Sequence, residues 1–108
     1  MEFLNKVEIR GVVGQVRITK VADTETAQFS VITEDVSRSK DGCAVVNCTW
    51  FSVRAWKGPG IVDLQRIEKG SHVHVIGRFR CQRYVGNDGC EKTRYEVVAS
   101  TVELLVED

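Results

Sequence analysis

Apolar residues recur at every second position in five separate stretches of this chain, and at helical spacing in only one. Such alternation buries one face of each strand and leaves the other to solvent. The first stretch runs from about Lys6 to Thr19, with Val7, Ile9, Val12, Val13, Val16 and Ile18 as its apolar positions. Gly11 and Gly14 interrupt it, as bulges or sharp bends in a small closed barrel do. The second lies near Ala27 to Glu34 and the third covers Val45 to Trp56; the polar stretch Asp35 to Gly42 between them reads as a loop. Gly58-Pro59-Gly60 ends the third strand. Ile61, Leu64 and Ile67 then follow at helical spacing, closed by Lys69-Gly70, which predicts a helix of near two turns that must be held by packing. The fourth strand runs from Ser71 to Tyr84, Gly86-Asn87-Asp88-Gly89 makes a hairpin tip, and the fifth runs from Lys92 to about Val106.

The order is β-β-β-α-β-β. The helices of an α/β fold alternate with its strands, and a β-sandwich wants more strands and no helix at that point. Five strands with one short helix between strands 3 and 4 predict an all-β OB-fold, a Greek-key barrel that binds oligonucleotides or oligosaccharides. No repeat or internal boundary breaks the 108 residues, so one domain over 1–108 is expected. The hydrophobic fraction of 43% suits a single core. No apolar run approaches the roughly 20 residues that span a bilayer. The N-terminus lacks the basic and apolar regions of a signal peptide, so a cytoplasmic protein without membrane contact is expected.

Charge sums to zero, with 15 basic and 15 acidic residues, but it is unevenly spread. From Arg66 to Arg94 seven cations face three anions, and from Tyr95 onward there are four anions and no cation. A locally basic face on a neutral protein is compatible with nucleic-acid binding and equally with an ordinary solvated hairpin.

Cys43, Cys48, Cys81 and Cys90 have no C-x-x-C spacing, and His72 and His74 share a strand face without a third ligand, so no metal site is expected. The thiols are expected to be reduced and to serve as small hydrophobes; Cys81 and Cys90 flank the hairpin tip, where the two could approach, but no disulfide is expected in the cytoplasm. Gly11 to Gly14 has neither the lysine nor the spacing of a P-loop, and no nucleophile–base constellation is legible, so neither catalysis nor a cofactor is expected. A thiol enzyme using Cys81 or Cys90 is the remotest alternative, because no general base accompanies them.

The aromatic residues carry the functional signal. Trp50 and Trp56 lie an even number apart and share a face with Ser52 and Arg54, whereas Phe51, Val53 and Ala55 form the apolar face opposite. The tryptophans are therefore expected to face solvent, where indoles can stack on bases. On the fourth strand Arg78, Arg80, Gln82 and Tyr84 share a face with His72, His74 and Ile76. Rings and guanidinium groups together supply both parts of a single-strand groove, stacking and phosphate contact. Phe3, Phe29 and Phe79 are expected in the core; Tyr95 is undecided by its neighbours.

Three segments resemble one family. Asn5-Lys6-Val7 followed by Gly11 and Gly14-Gln15 is similar to the opening of the bacterial single-stranded DNA-binding protein family. Thr49-Trp50-Phe51-Ser52-Val53-Arg54-Ala55-Trp56 resembles its third strand, with two aromatics six residues apart. Lys69-Gly70-Ser71 through Tyr84 resembles its fourth, and Tyr95-Glu96-Val97-Val98-Ala99 its last. The resemblance implies stacking at Trp50, Trp56 and Tyr84 and a homo-oligomer, tetramer or dimer. The family's further tryptophan after the second strand is absent from Asp35-Val36-Ser37, which implies weaker binding or a smaller site. The family's acidic, Phe-terminated tail is not seen before Asp108, so the expectation is either a short member without that means of recruiting replication or repair proteins or a trimmed piece of a longer one.

The combined expectation is a non-enzymatic, sequence-tolerant single-stranded DNA-binding domain acting in replication, recombination or repair, with Trp50, Arg54, Trp56, Arg78, Arg80 and Tyr84 on the nucleic acid. The alternatives are an adaptor resembling primosomal replication protein N, which would bind a restart helicase, and an oligosaccharide-binding or structural OB module.

Overall fold

The computed structural model describes residues 1–106. Five strands, β1 (Val7–Val21), β2 (Thr24–Arg38), β3 (Ala44–Trp56), β4 (His72–Val85) and β5 (Glu91–Leu104), close into a barrel in the order β1-β2-β3-β5-β4. All pairings are antiparallel except β3 with β5, which meet through Val53↔Val97 and Arg54↔Val98. β1 serves two neighbours in turn, with Val7–Val12 on β4 and Val12–Val21 on β2, and its register with β2 shifts between Val13 and Val16. That bulge bends the strand so that one element can close both sides of the barrel.

The inward positions of the alternating stretches make the core. Ile9, Val13, Phe29, Val31, Val53, Val73, Val75, Val97 and Val102 pack together, and Leu64 and Ile67 plug one end. At Gly77 β4 passes directly against the β5 backbone. A Cβ there would stand 2.2 Å from the Val98 carbonyl oxygen, so only glycine fits beside the register shift that leaves Ser100 extra on β5.

The segment expected to form a two-turn helix forms a single 3-10 turn, Leu64–Arg66. The three-residue spacing of Ile61, Leu64 and Ile67 matches the 3-10 period as well as the α-helical one. Asp63 caps the turn through the Gln65 N–H at 3.1 Å, and Ile61 is held by a bridge to Val102, which leaves no length for a second turn.

The polar stretch expected as a loop is shorter than its composition suggests. Asp35–Arg38 continue β2 and pair with Ala44–Asn47, so the turn proper is Ser39–Cys43. The hairpins β2–β3 and β4–β5 thus project as two-stranded arms. The radius of gyration, 16.2 Å, exceeds the roughly 13 Å of a compact chain of about 100 residues, and the arms account for it.

Three core expectations are corrected. Phe29 is buried, but Phe3 is almost wholly exposed and Phe79 is about half exposed. Phe79 has the inward parity of Val73 and Val75, yet it lies beyond Gly77, where the arm has left the barrel and there is no interior to enter. All four cysteines are exposed rather than buried as small hydrophobes. Cys81 pairs with Tyr95 while Cys90 sits at the tip opposite Gly86, so the two are separated along the arm.

Candidate nucleic-acid interface

Strand parity places Trp50, Ser52, Arg54 and Trp56 on the outer face of β3, with Val53 and Ala55 buried behind them. Trp50 is 65% exposed and Trp56 36%. Trp50 pairs with Ile32 of β2, and a Cβ added at Gly14 of β1 would come within 3.5 Å of its Cζ3. Glycine at that position leaves the indole room to lie over β1 and β2 with its other face in solvent.

The outer face of β4 carries Arg78, Arg80, Gln82 and Tyr84. Tyr84 is 40% exposed, and the Arg94 guanidinium lies 5.1 Å from its ring centre, a cation–π contact that holds the ring at the edge of the arm.

Between these two strands stands Glu96 of β5, whose side chain is fully buried. Its Oε2 accepts from Arg54 Nε at 3.4 Å and its Oε1 accepts from Arg80 Nη2. The carboxylate therefore joins the aromatic face of β3 to the cationic face of β4 and leaves the trio with one net positive charge. Arg80 Nε makes no hydrogen bond, so that guanidinium is engaged along one edge only. Arg83–Glu91 and Lys92–Asp88 are exposed pairs at 3.6 and 3.8 Å, of the kind that contributes little.

The six residues expected at the site thus all lie on the outward parity of β3 and β4, but they differ in freedom. Trp50, Trp56, Tyr84 and Arg78 reach solvent, whereas Arg54 and Arg80 are anchored on Glu96. Sequence reasoning missed Glu96, which reads as one acidic residue among several, and it missed the pair Phe79–Tyr95. These two rings stack with centroids 5.9 Å apart and planes 25° apart, on the arm face opposite Tyr84, and Tyr95 is 60% exposed. Both rings stand outside the barrel because β4 runs on past its pairing with β1, which ends at Gly77, an end point that the local sequence pattern does not mark.

Asn5, part of the opening motif, has a structural role. Its side-chain amide donates to the Phe79 carbonyl at 2.7 Å and its side-chain oxygen accepts from the Phe79 N–H at 2.9 Å. One residue thereby prolongs the β1–β4 pairing at the base of the arm.

His74 lies between two carboxylates, with Nε2 2.6 Å from Glu8 and Nδ1 3.8 Å from Glu103. The hydrogen bond from His74 holds the Glu8 carboxyl below its ordinary value of 4.5, assisted by the charges of His74, Lys6 and Arg10. A carboxyl lowered in the folded state contributes stability above its unfolded value and loses it as pH falls through the folded one. Glu8 should therefore titrate below 4.5 in a side-chain NMR titration, and His74→Ala should return it toward that value. An unchanged midpoint in the variant would show that the imidazole is not the cause. Among the described residues no group of three or more His, Cys, Asp or Glu side chains is arranged to hold a metal ion. No helix among them is long and apolar enough to cross a membrane.

A closed five-stranded barrel with a parallel β3–β5 closure, a capping turn between β3 and β4, and two projecting arms defines an OB-fold protein. Residues 4–105 match the model of the single-strand binding protein family, and the chain belongs to that family. It is 30% identical over 105 residues to a single-stranded DNA-binding protein of Neisseria meningitidis, covering 94% of this chain and 60% of that one. It is 28% identical to the mitochondrial single-stranded DNA-binding protein of Danio rerio, covering 97% and 78%. The solved Plasmodium falciparum SSB complex with ssDNA superposes with a TM-score of 0.80 at 21% identity, covering 98% of each chain, which establishes the common fold. The chain spans about 60% of the length of the Neisseria relative.

Proposed function

We propose that residues 1–108 form a non-enzymatic single-stranded DNA-binding domain, working without a cofactor, that coats and protects exposed strands in replication, recombination or repair. The observation that carries this reading is the alignment of three exposed rings, Trp50, Trp56 and Tyr84, with Arg54, Arg78 and Arg80 on the outer surface of a family barrel. Unpaired bases stack on the rings and the guanidinium groups meet phosphates; neither contact depends strongly on sequence. The two arms lengthen that surface beyond the barrel. Nothing in the site favours the helicase-adaptor alternative, whose function needs no stacking rings.

The working form is a homo-oligomer, dimer or tetramer. Val7–Arg10 of β1 pair with β4 but not with β2, and a strand edge of this kind can pair with a second copy. The expected compartment is the cytoplasm.

The test is a titration of intrinsic tryptophan fluorescence with oligo-dT at two salt concentrations. Deep quenching whose affinity falls with salt is the expected result, because stacking quenches the indoles and phosphate contacts release counterions. A folded protein that shows no quenching and no binding would overturn the reading.

A further inference from the structure

The bulge in β1 builds a second feature beside Trp50. Ser30 of β2 stands opposite the Gly14–Gln15 step, where the register shifts, and its Oγ accepts from the Gln15 N–H at 3.0 Å. The backbone donor left over by the bulge is thereby satisfied, and the strand is bowed away from β2. The result is a groove of about 380 Å³ on the outer face, within the range of small-ligand sites. It is lined by residues 15–17 of β1, 28–30 of β2 and 50–52 of β3, of which Gln15, Arg17, Gln28, Ser30, Trp50 and Ser52 have the outward parity.

These are the groups that read a base rather than merely hold it. Gln15 and Gln28 each offer an amide donor and acceptor in one plane, the pairing that matches the edge of a nucleobase. Ser52 and Ser30 add hydroxyls. Arg17 pairs directly with Gln28 across the strands and is exposed at the rim, where a phosphate of the same nucleotide would reach it. Trp50 supplies a ring on which that base can stack. On the outward parity of β4 the one amide, Gln82, lies between Arg80 and Tyr84, whereas the groove carries two amides together with Trp50.

We propose that this groove is a base-reading subsite: one unpaired nucleotide per protomer is stacked on Trp50 and recognised along its edge by Gln15 and Gln28, while the rest of the strand is bound without regard to sequence. The inference rests on the reading of the chain as a single-stranded DNA binder and deepens it. The bulge serves recognition, because straightening β1 would close the groove.

The experiment compares oligo-dT, oligo-dC and oligo-dA of one length by fluorescence anisotropy, with the wild-type chain, Gln28→Ala and Gln15→Ala. One well-placed amide discriminates between bases by about fivefold or more. The wild-type chain should therefore separate the best and worst oligomer by at least about that factor. The variants should compress the spread to about twofold, with folding checked by circular dichroism. Gln15 is exposed, so its variant keeps the test available even if Gln28→Ala fails to fold. A spread that is absent in the wild type, or that survives both variants, overturns the subsite, since differences in stacking alone would persist without the amides. Failure of every oligomer to bind overturns the single-strand reading itself, and is thereby distinguishable.

Discussion

Replacing Glu96 with alanine is expected to destabilise the barrel by about 2–4 kcal/mol. Removing one member of a buried ionic cluster leaves the others uncompensated, typically at about 3–5 kcal/mol. Here Arg54 and Arg80 keep 17% and 38% of their side-chain surface in solvent and can turn outward, which lowers the penalty. Equilibrium urea denaturation would read the change, and for a chain of this size the thermal midpoint should fall by about 8 °C or more. Glu96→Gln, which keeps the shape and removes the charge, should fall between wild type and alanine. A loss below about 1 kcal/mol for Glu96→Ala would show that the two arginines do not depend on the carboxylate. The functional consequence follows from position. Glu96 is directly paired with Arg80 and diagonal to Arg54, so its loss frees both guanidinium groups from fixed places between the tryptophans and Tyr84.

Trp50→Ala is expected to weaken binding of oligo-dT by about 1–3 kcal/mol, or about five- to 150-fold, the usual cost of losing one base–aromatic stack. Stability should change little, because the indole is mostly exposed and rests on Gly14 and Ile32 without filling the core. The salt dependence should also persist, since no phosphate contact is removed. Anisotropy of a labelled oligonucleotide at two salt concentrations, beside a denaturation curve, separates these effects. Unchanged affinity would remove Trp50 from the interface. A large loss of stability would make it a packing residue.

The strand sequence was legible wherever one face is buried. Val73, Val75, Val53 and Ala55 are fully buried and alternate with neighbours that keep part of their surface in solvent, because the barrel interior imposes a period of two. The same rule placed Trp50 and Trp56 outside. It failed on the arms, where both faces of a two-stranded ribbon meet solvent and the period carries no message. Asp35–Arg38 therefore looked like a loop while pairing as a strand, and Phe79 looked like core while standing clear of it. The short helix was misjudged for a different reason: residues at i, i+3 and i+6 fit a 3-10 turn and an α-helix alike.

Order and parity of the strands, the glycine punctuation and the outward aromatics are local properties, and the chain determines them residue by residue. The choice of which charges are free for phosphate is not local. Arg54, Arg80 and Glu96 belong to three different strands, and only the parallel closure of β3 on β5 brings them together. The groove beside Trp50 likewise needs a bulge in β1 set against Ser30 and Ser52 of two other strands. Hydrophobic alternation is written along a strand and hairpin register is set by the turns, whereas the register of the non-local pairs, β3 with β5 and β1 with β4, is settled only when the barrel closes.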